Sequence, residues 1–159
     1  MKILRSEVIK YAKMFNSRKL SALRSGNISL RFQDGFLITP SGAKYSSLKN
    51  KDIVFVSLKG EFDEKKGIQS SEWRFHQDIY KDKAEAKAIV HAHSNYATAI
   101  STHGKGIPAF HYMVAMAGGK DIKCAKYATY GTRELAKNIL KALRQRNACL
   151  IGNHGQMRW

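Results

Sequence analysis

Apolar residues at Val8, Ile9, Ala12, Met14 and Phe15 follow a spacing near 3.6, which predicts a helix over 7–20. Ser25-Gly26-Asn27 then marks a turn, and 28–32 alternates apolar and polar positions, as a half-buried strand does. Gln33-Asp34-Gly35 reads as a hairpin turn into a second strand over 36–39, which Pro40-Ser41-Gly42 ends. A third strand over 52–58 stops at Lys59-Gly60. Ser70-Ser71 precede a helix over 72–81 and offer oxygens to its free amides. A strand over 88–93, a short helix from a Ser94 cap to 101, a helix from Thr132-Arg133 to 146 and a strand over 148–151 complete the pattern. Local hairpins first and interspersed helices later predict an α/β fold. The expected form is a three-layer α/β/α domain with a mixed, mainly antiparallel central sheet.

The chain has 159 residues, the size of one domain, 1–159, with no repeat, low-complexity tract or linker. No apolar run approaches the ~18 residues that a membrane span requires. The first residues enter the amphipathic pattern directly, without the apolar stretch of a signal peptide. Cys124 and Cys149 lie far apart, form no CxxC and read as free thiols, so a cytoplasmic protein is expected.

Charge changes the picture more. The formal net charge is +16, from 28 basic against 12 acidic residues, which suits nucleic acid, an acidic surface or anionic small substrates. The basic residues are scattered, as with Lys141, Arg144 and Arg146 along a predicted helix. A solvated cationic surface is therefore the simpler reading, and nucleic acid is not favoured as a partner.

Histidine carries the candidate chemistry. His91 and His93 stand two apart on a predicted strand, so both point to one face. The pair alone fits two structural histidines as readily as two ligands. His154 follows a second strand, between Asn153 and Gly155, and three histidines with an open fourth position form a catalytic zinc arrangement. Glu72 begins a helix, where the partial positive charge favours an anion; beside a metal the same carboxylate can move a proton. Ser25-Gly26-Asn27, Ser41-Gly42 and Ser70-Ser71 are ordinary turns one by one, yet together they offer many donors to a phosphate. His76, His103 and His111 read as surface or interface side chains.

Five ordered motifs resemble the class II aldolase/adducin family, in its fuculose-phosphate aldolase branch. They are Ser25-Gly26-Asn27-Ile28-Ser29, Ile38-Thr39-Pro40-Ser41-Gly42, Ser70-Ser71-Glu72-Trp73-Arg74-Phe75-His76, Val90-His91-Ala92-His93 and Asn153-His154-Gly155. Ile107-Pro108-Ala109-Phe110-His111-Tyr112-Met113 and the run from Tyr127 to Leu135 fit the same branch. The resemblance implies one Zn²⁺ per subunit on His91, His93 and His154, with Glu72 as acid/base. It implies phosphate held at Gly26, Asn27, Ser41, Gly42, Ser70 and Ser71, and a Tyr112 that protonates an aldehyde oxygen across a subunit boundary of a cyclic homotetramer. The implied activity is a zinc-dependent aldolase that cleaves or forms a sugar phosphate through a dihydroxyacetone-phosphate enediolate.

Related pentulose-phosphate 4-epimerases typically carry Asp where this chain has Glu72. Methylthioribulose-phosphate dehydratases keep both the glutamate and the histidines, and they and the epimerases are the alternative activities. A non-catalytic oligomeric domain is the rival of another class. The family pattern continues beyond Trp159 through a strand and a long helix, so a C-terminally truncated domain is expected, with apolar surface open near Leu150 and Trp159.

Overall fold

The computed structural model describes residues 1–21 and 24–159. Strands β1 (Asn27–Phe32) and β2 (Gly35–Ile38) pair antiparallel about the predicted hairpin turn. β3 (Val54–Ser57) adds outside β2, and β4 (Ala88–Ala92) adds on the other side of β1. β7 (Gly155–Arg158) lies between β4 and β6 (Ala148–Ile151), antiparallel to both. β5 (Lys123–Ala125) closes the far edge, parallel to β6. Among the described residues the sheet has seven strands in the order β3-β2-β1-β4-β7-β6-β5. It is mixed and mainly antiparallel, as the sequence predicts.

Strand alternation divides the apolar residues into two cores. Phe36 and Ile38 of β2, Ile89 of β4 and Met157 of β7 join Phe75 and Ile79 of α2 (Trp73–Asp82) and Leu135 and Ile139 of α4 (Arg133–Ala142). Ile28 of β1, Leu37 of β2 and Ala92 of β4 join Val8, Ala12 and Phe15 of α1 (Lys2–Ser17) on the opposite face. Each of the larger side chains contributes ~1.5–3 kcal/mol over an exposed one, so slipping any strand by one residue would be costly. α3 (Asn95–Ser101) lies against β6 and β7. Helices on both faces of the sheet give the expected three layers. No helix among the described residues is long and apolar enough to cross a membrane.

Several local expectations change. α1 begins at Lys2, five residues before the predicted start, and α4 ends at Ala142 rather than 146. Gln145, at φ 58°, turns the chain so that Arg146 folds back: its Nε and Nη2 both donate to Oδ1 of Asp121, at 2.7 and 2.5 Å. Arg146 is therefore buried and paired, not part of a solvated helix face. The N-cap position of α2 is Glu72, not a serine; Ser70 Oγ instead accepts from the Glu72 amide at 3.3 Å. The strands β5 and β7 and a 3₁₀ segment, Tyr112–Ala117, are absent from the sequence prediction because three- to six-residue pieces carry too little periodicity. Of the two positions expected near open apolar surface, Leu150 is itself buried and Trp159 is half-buried. Both nonetheless line an apolar groove of about 560 Å³ with Val90, Ala92 and Ala97.

Candidate metal and anion site

Register brings the site together at one rim of the sheet. Asn27, the first residue of β1, is the cross-strand partner of His91 near the end of β4. Ala92 of β4 pairs with Gln156 of β7, and the three-residue turn between β6 and β7 carries His154. Asn153 holds that turn at φ 53°, a left-handed conformation that Asn tolerates. A Cβ on Gly155 would collide with the Ala92 carbonyl, so the glycine lets the turn close onto β4. Gly26 does the same on the other side, at φ 82° and under the His91 carbonyl.

Three imidazoles and one carboxylate converge there. The ring centroids of His91, His93 and His154 lie 4.7–4.8 Å apart. One potential ligand atom from each, and one from Glu72, all fall within 4.8 Å of one another. His91 Nδ1 donates to the Gln156 carbonyl at 2.9 Å, which leaves the Nε2 lone pair facing the cluster. His93 Nε2 stands 2.8 Å from His91 Nε2, and the His93 amide donates to Ser21 Oγ at 2.8 Å. Glu72 Oε2 lies 3.2 Å from His91 Nε2 and accepts from Asn27 Nδ2 at 2.9 Å. Its Oε1 is buried without a hydrogen bond and lies 3.4 Å from His154 Nε2.

The electrostatics suit a cation. Burial alone would raise the Glu72 carboxyl, but His91 and His154 and the bond from Asn27 outweigh it and hold the group down to about 2. Burial, together with His91 and His154, lowers His93 to about 4. Burial likewise lowers His154. Neutral imidazoles and an ionised carboxylate are the forms that bind metals. The unsatisfied Oε1 and the mutually close nitrogens fit one divalent ion, which would offset the crowding of these groups.

A cavity of about 330 Å³ opens beside this cluster, bordered by Glu72, His93 and His154. Gly26, Asn27, Ser41, Gly42, Ser70 and Ser71 all line it. The Asn27 side chain, however, is engaged inward: its amide lies between Glu72 and His76. Tyr112 does not reach the cavity from within its own chain and is 79% exposed on the 3₁₀ segment. Phe110, Met113 and Met116 are exposed beside it.

Some contributors are not evident from sequence. Arg24 lines the cavity, the one cationic side chain to do so among the described residues, and donates to the Gly42 carbonyl at 3.1 Å. Tyr130 lines it as well. Ser21 and Gln156 steady the ligand strands through single bonds that no spacing announces. His76 is a correction: it is fully buried, not a surface side chain, because it lies on the inner face of α2 between Phe75 and Phe36. His103 and His111 are exposed, as expected.

Residues 6–159 match the profile of the Class II Aldolase and Adducin N-terminal domain. The chain belongs to the class II aldolase and adducin family. It is 49% identical over 131 residues to the L-fuculose phosphate aldolase of Escherichia coli K12, covering 82% of this chain and 60% of that protein. It is 45% identical over 156 residues to a 5-methylthioribulose-1-phosphate/5-deoxyribulose-1-phosphate aldolase of Rhodospirillum rubrum, covering 97% of this chain and 69% of that protein. A solved L-fuculose 1-phosphate aldolase superposes with a TM-score of 0.93 at 40% identity, over 98% of this chain and 74% of that one. The chain thus spans between three-fifths and seven-tenths of the length of these two relatives. Class II aldolases are metal-dependent enzymes, and the His/Glu cluster of this chain is one that can hold a metal.

Proposed function

We propose that this chain carries the active site of a zinc-dependent aldolase for a ketose 1-phosphate. The observation that carries this reading is Glu72: a buried carboxylate, ionised, with one oxygen unsatisfied, set among three imidazoles at the mouth of a serine- and glycine-lined cavity. When bound by His91, His93 and His154, zinc supplies Lewis-acid polarisation of the substrate carbonyl. The phosphate is held by Ser41, Gly42, Ser70, Ser71 and the Gly26-Asn27 turn, with Arg24 adding charge. In condensation Glu72 accepts the proton from C3 of dihydroxyacetone phosphate, the enediolate carbon bonds to the aldehyde carbon, and the aldehyde oxygen takes a proton from Tyr112 of a second copy. In cleavage the C3–C4 bond breaks and the same protons return. The exposure of Tyr112 and its apolar neighbours supports a homo-oligomer, for which we propose the tetramer.

A second reading concerns the substrate. The relative covering 97% of this chain is an aldolase for 5-methylthioribulose and 5-deoxyribulose 1-phosphates. Any ketose 1-phosphate cut between C3 and C4 releases dihydroxyacetone phosphate, so both readings share the chemistry and differ in the aldehyde. The test is direct. Zinc-loaded protein in D₂O should exchange one C3 proton of dihydroxyacetone phosphate, followed by NMR, and should cleave one of the two ketose phosphates. No bound metal and no exchange would sink the aldolase reading and favour a non-catalytic oligomeric domain.

A further inference from the structure

His76 is buried, makes two hydrogen bonds and touches neither the cavity nor the histidine cluster through them. Its Nε2 lies 2.5 Å from Asn27 Oδ1, and its Nδ1 lies 2.7 Å from Ser29 Oγ. Ser29 Oγ is also 2.8 Å from the Tyr80 hydroxyl. The far end is fixed: Arg31 stacks over the Tyr80 ring at 4.7 Å and donates to the carbonyls of Tyr80, Lys83 and Ala86, each at 2.7 Å.

Only one direction of donation satisfies every member. A carboxylate accepts, so Asn27 turns its NH₂ to Glu72 and its carbonyl oxygen to His76. That oxygen requires a donor, so His76 carries its proton on Nε2. Nδ1 is then an acceptor, filled by the Ser29 hydroxyl, which accepts in turn from Tyr80. Every donor points toward Glu72. An Asn amide has two nearly isosteric orientations, and the reversed one would set a carbonyl oxygen against the carboxylate. The reversed amide would also turn its NH₂ against the Nε2–H of His76, so His76 holds Asn27 in the orientation that the carboxylate needs.

We propose that His76 is a positioning residue for Glu72: it fixes the amide orientation of Asn27, and Asn27 fixes the carboxylate. This deepens the aldolase reading and rests on it for its kinetic consequence. Partners in this layer of a metal site typically matter by ~10–100-fold in rate. His76→Phe keeps a ring between Phe36 and Phe75 but donates nothing. It should lower the C3 exchange rate constant of dihydroxyacetone phosphate ~10–100-fold, with half-saturation and zinc content near those of wild type. His76→Gln, whose amide can donate to Asn27, should recover part of the loss. Ser29→Ala, a small change that leaves the ring in place, should also slow exchange.

A second readout is independent of turnover. The ¹⁵N shifts of His76 in zinc-loaded protein, assigned by difference from His76→Phe, should show a neutral ring protonated at Nε2. Wild-type exchange rates in both His76→Phe and Ser29→Ala, or a His76 ring protonated at Nδ1, would overturn the proposal. If wild-type protein exchanges nothing, the aldolase reading fails instead, and the tautomer alone decides the relay.

Discussion

Oε2 of Glu72 stands 3.2 Å from Nε2 of His91, so the candidate base and a candidate ligand are in contact before any substrate enters. Glu72→Gln preserves the shape and the bond from Asn27 after an amide flip, but it removes the proton acceptor. Its C3 exchange should fall by ~10²–10⁴-fold, the usual worth of a general base, while the three histidines still retain zinc. Exchange at the wild-type rate would remove Glu72 from the role of base.

Metal should also stabilise the fold, because the four groups converge only in the native state. Zinc at 100 times its dissociation constant adds ~2.7 kcal/mol by mass action. Chelation should therefore lower the thermal midpoint by several degrees. His93→Ala should lose zinc and become insensitive to the chelator. A midpoint that ignores both changes would show that no ion binds here.

Much of this was legible in the sequence, for identifiable reasons. Strand alternation places His91 and His93 together, and hairpin chemistry at Gln33-Asp34-Gly35 sets the first two strands. His154 and Glu72 required the family resemblance, since they arrive from a turn and a helix start distant in sequence. What sequence could not show is direction. His76 looks like any polar residue on a helix until its burial and its bond to Asn27 are seen. Arg146 likewise looks solvated until the chain turns at Gln145 and delivers it to Asp121. Short strands such as β5 form because β6 offers a partner edge, not because Lys123–Ala125 encodes them.

Arg24 tests the anion half of the site. It is exposed and bonded to the Gly42 carbonyl at the edge of the cavity, so a bound phosphate would share its guanidinium. Arg24→Ala should raise half-saturation for dihydroxyacetone phosphate roughly tenfold, the lower end for a bond to a charged group, with little change in the rate constant. Added salt should narrow the gap between variant and wild type. An unchanged half-saturation at low salt would exclude Arg24 from phosphate binding.

Gly26→Ala tests the backbone that seats β4. The residue sits at φ 82°, and a Cβ would stand 2.7 Å from the His91 carbonyl, 2.8 Å from Phe15 and 2.9 Å from Ser21 Oγ. Left-handed strain and the clash together should cost ~2–4 kcal/mol in denaturant unfolding, and the displaced His91 and His93 should bind zinc more weakly. A variant as stable as wild type would mean that the turn is free to move.

His76 also predicts a pH dependence, separate from metal chemistry. Burial holds its pKa down to about 3, against 6.5 for an ordinary imidazole. Above pH 6.5 the ring is neutral in both folded and unfolded chains and costs nothing. As pH falls below 6.5 the unfolded chain takes up the proton and the folded one does not, so stability is lost until the folded pKa is reached. The loss approaches ~1.4 kcal/mol per pH unit for one such group, or about 2 kcal/mol between pH 6.5 and 4.5. The Glu72 carboxylate acts at lower pH, since its stabilising charge is lost from about 4.5 downward toward 2. Chelated protein, unfolded in urea across pH 6.5–4.5, should therefore weaken steadily. His93 and His154 add to this slope in both proteins, so the comparison that isolates His76 is with His76→Phe. That variant should show a slope shallower by close to one proton. Parallel slopes would mean that His76 is protonated in the folded chain, a state in which it could not accept from Ser29.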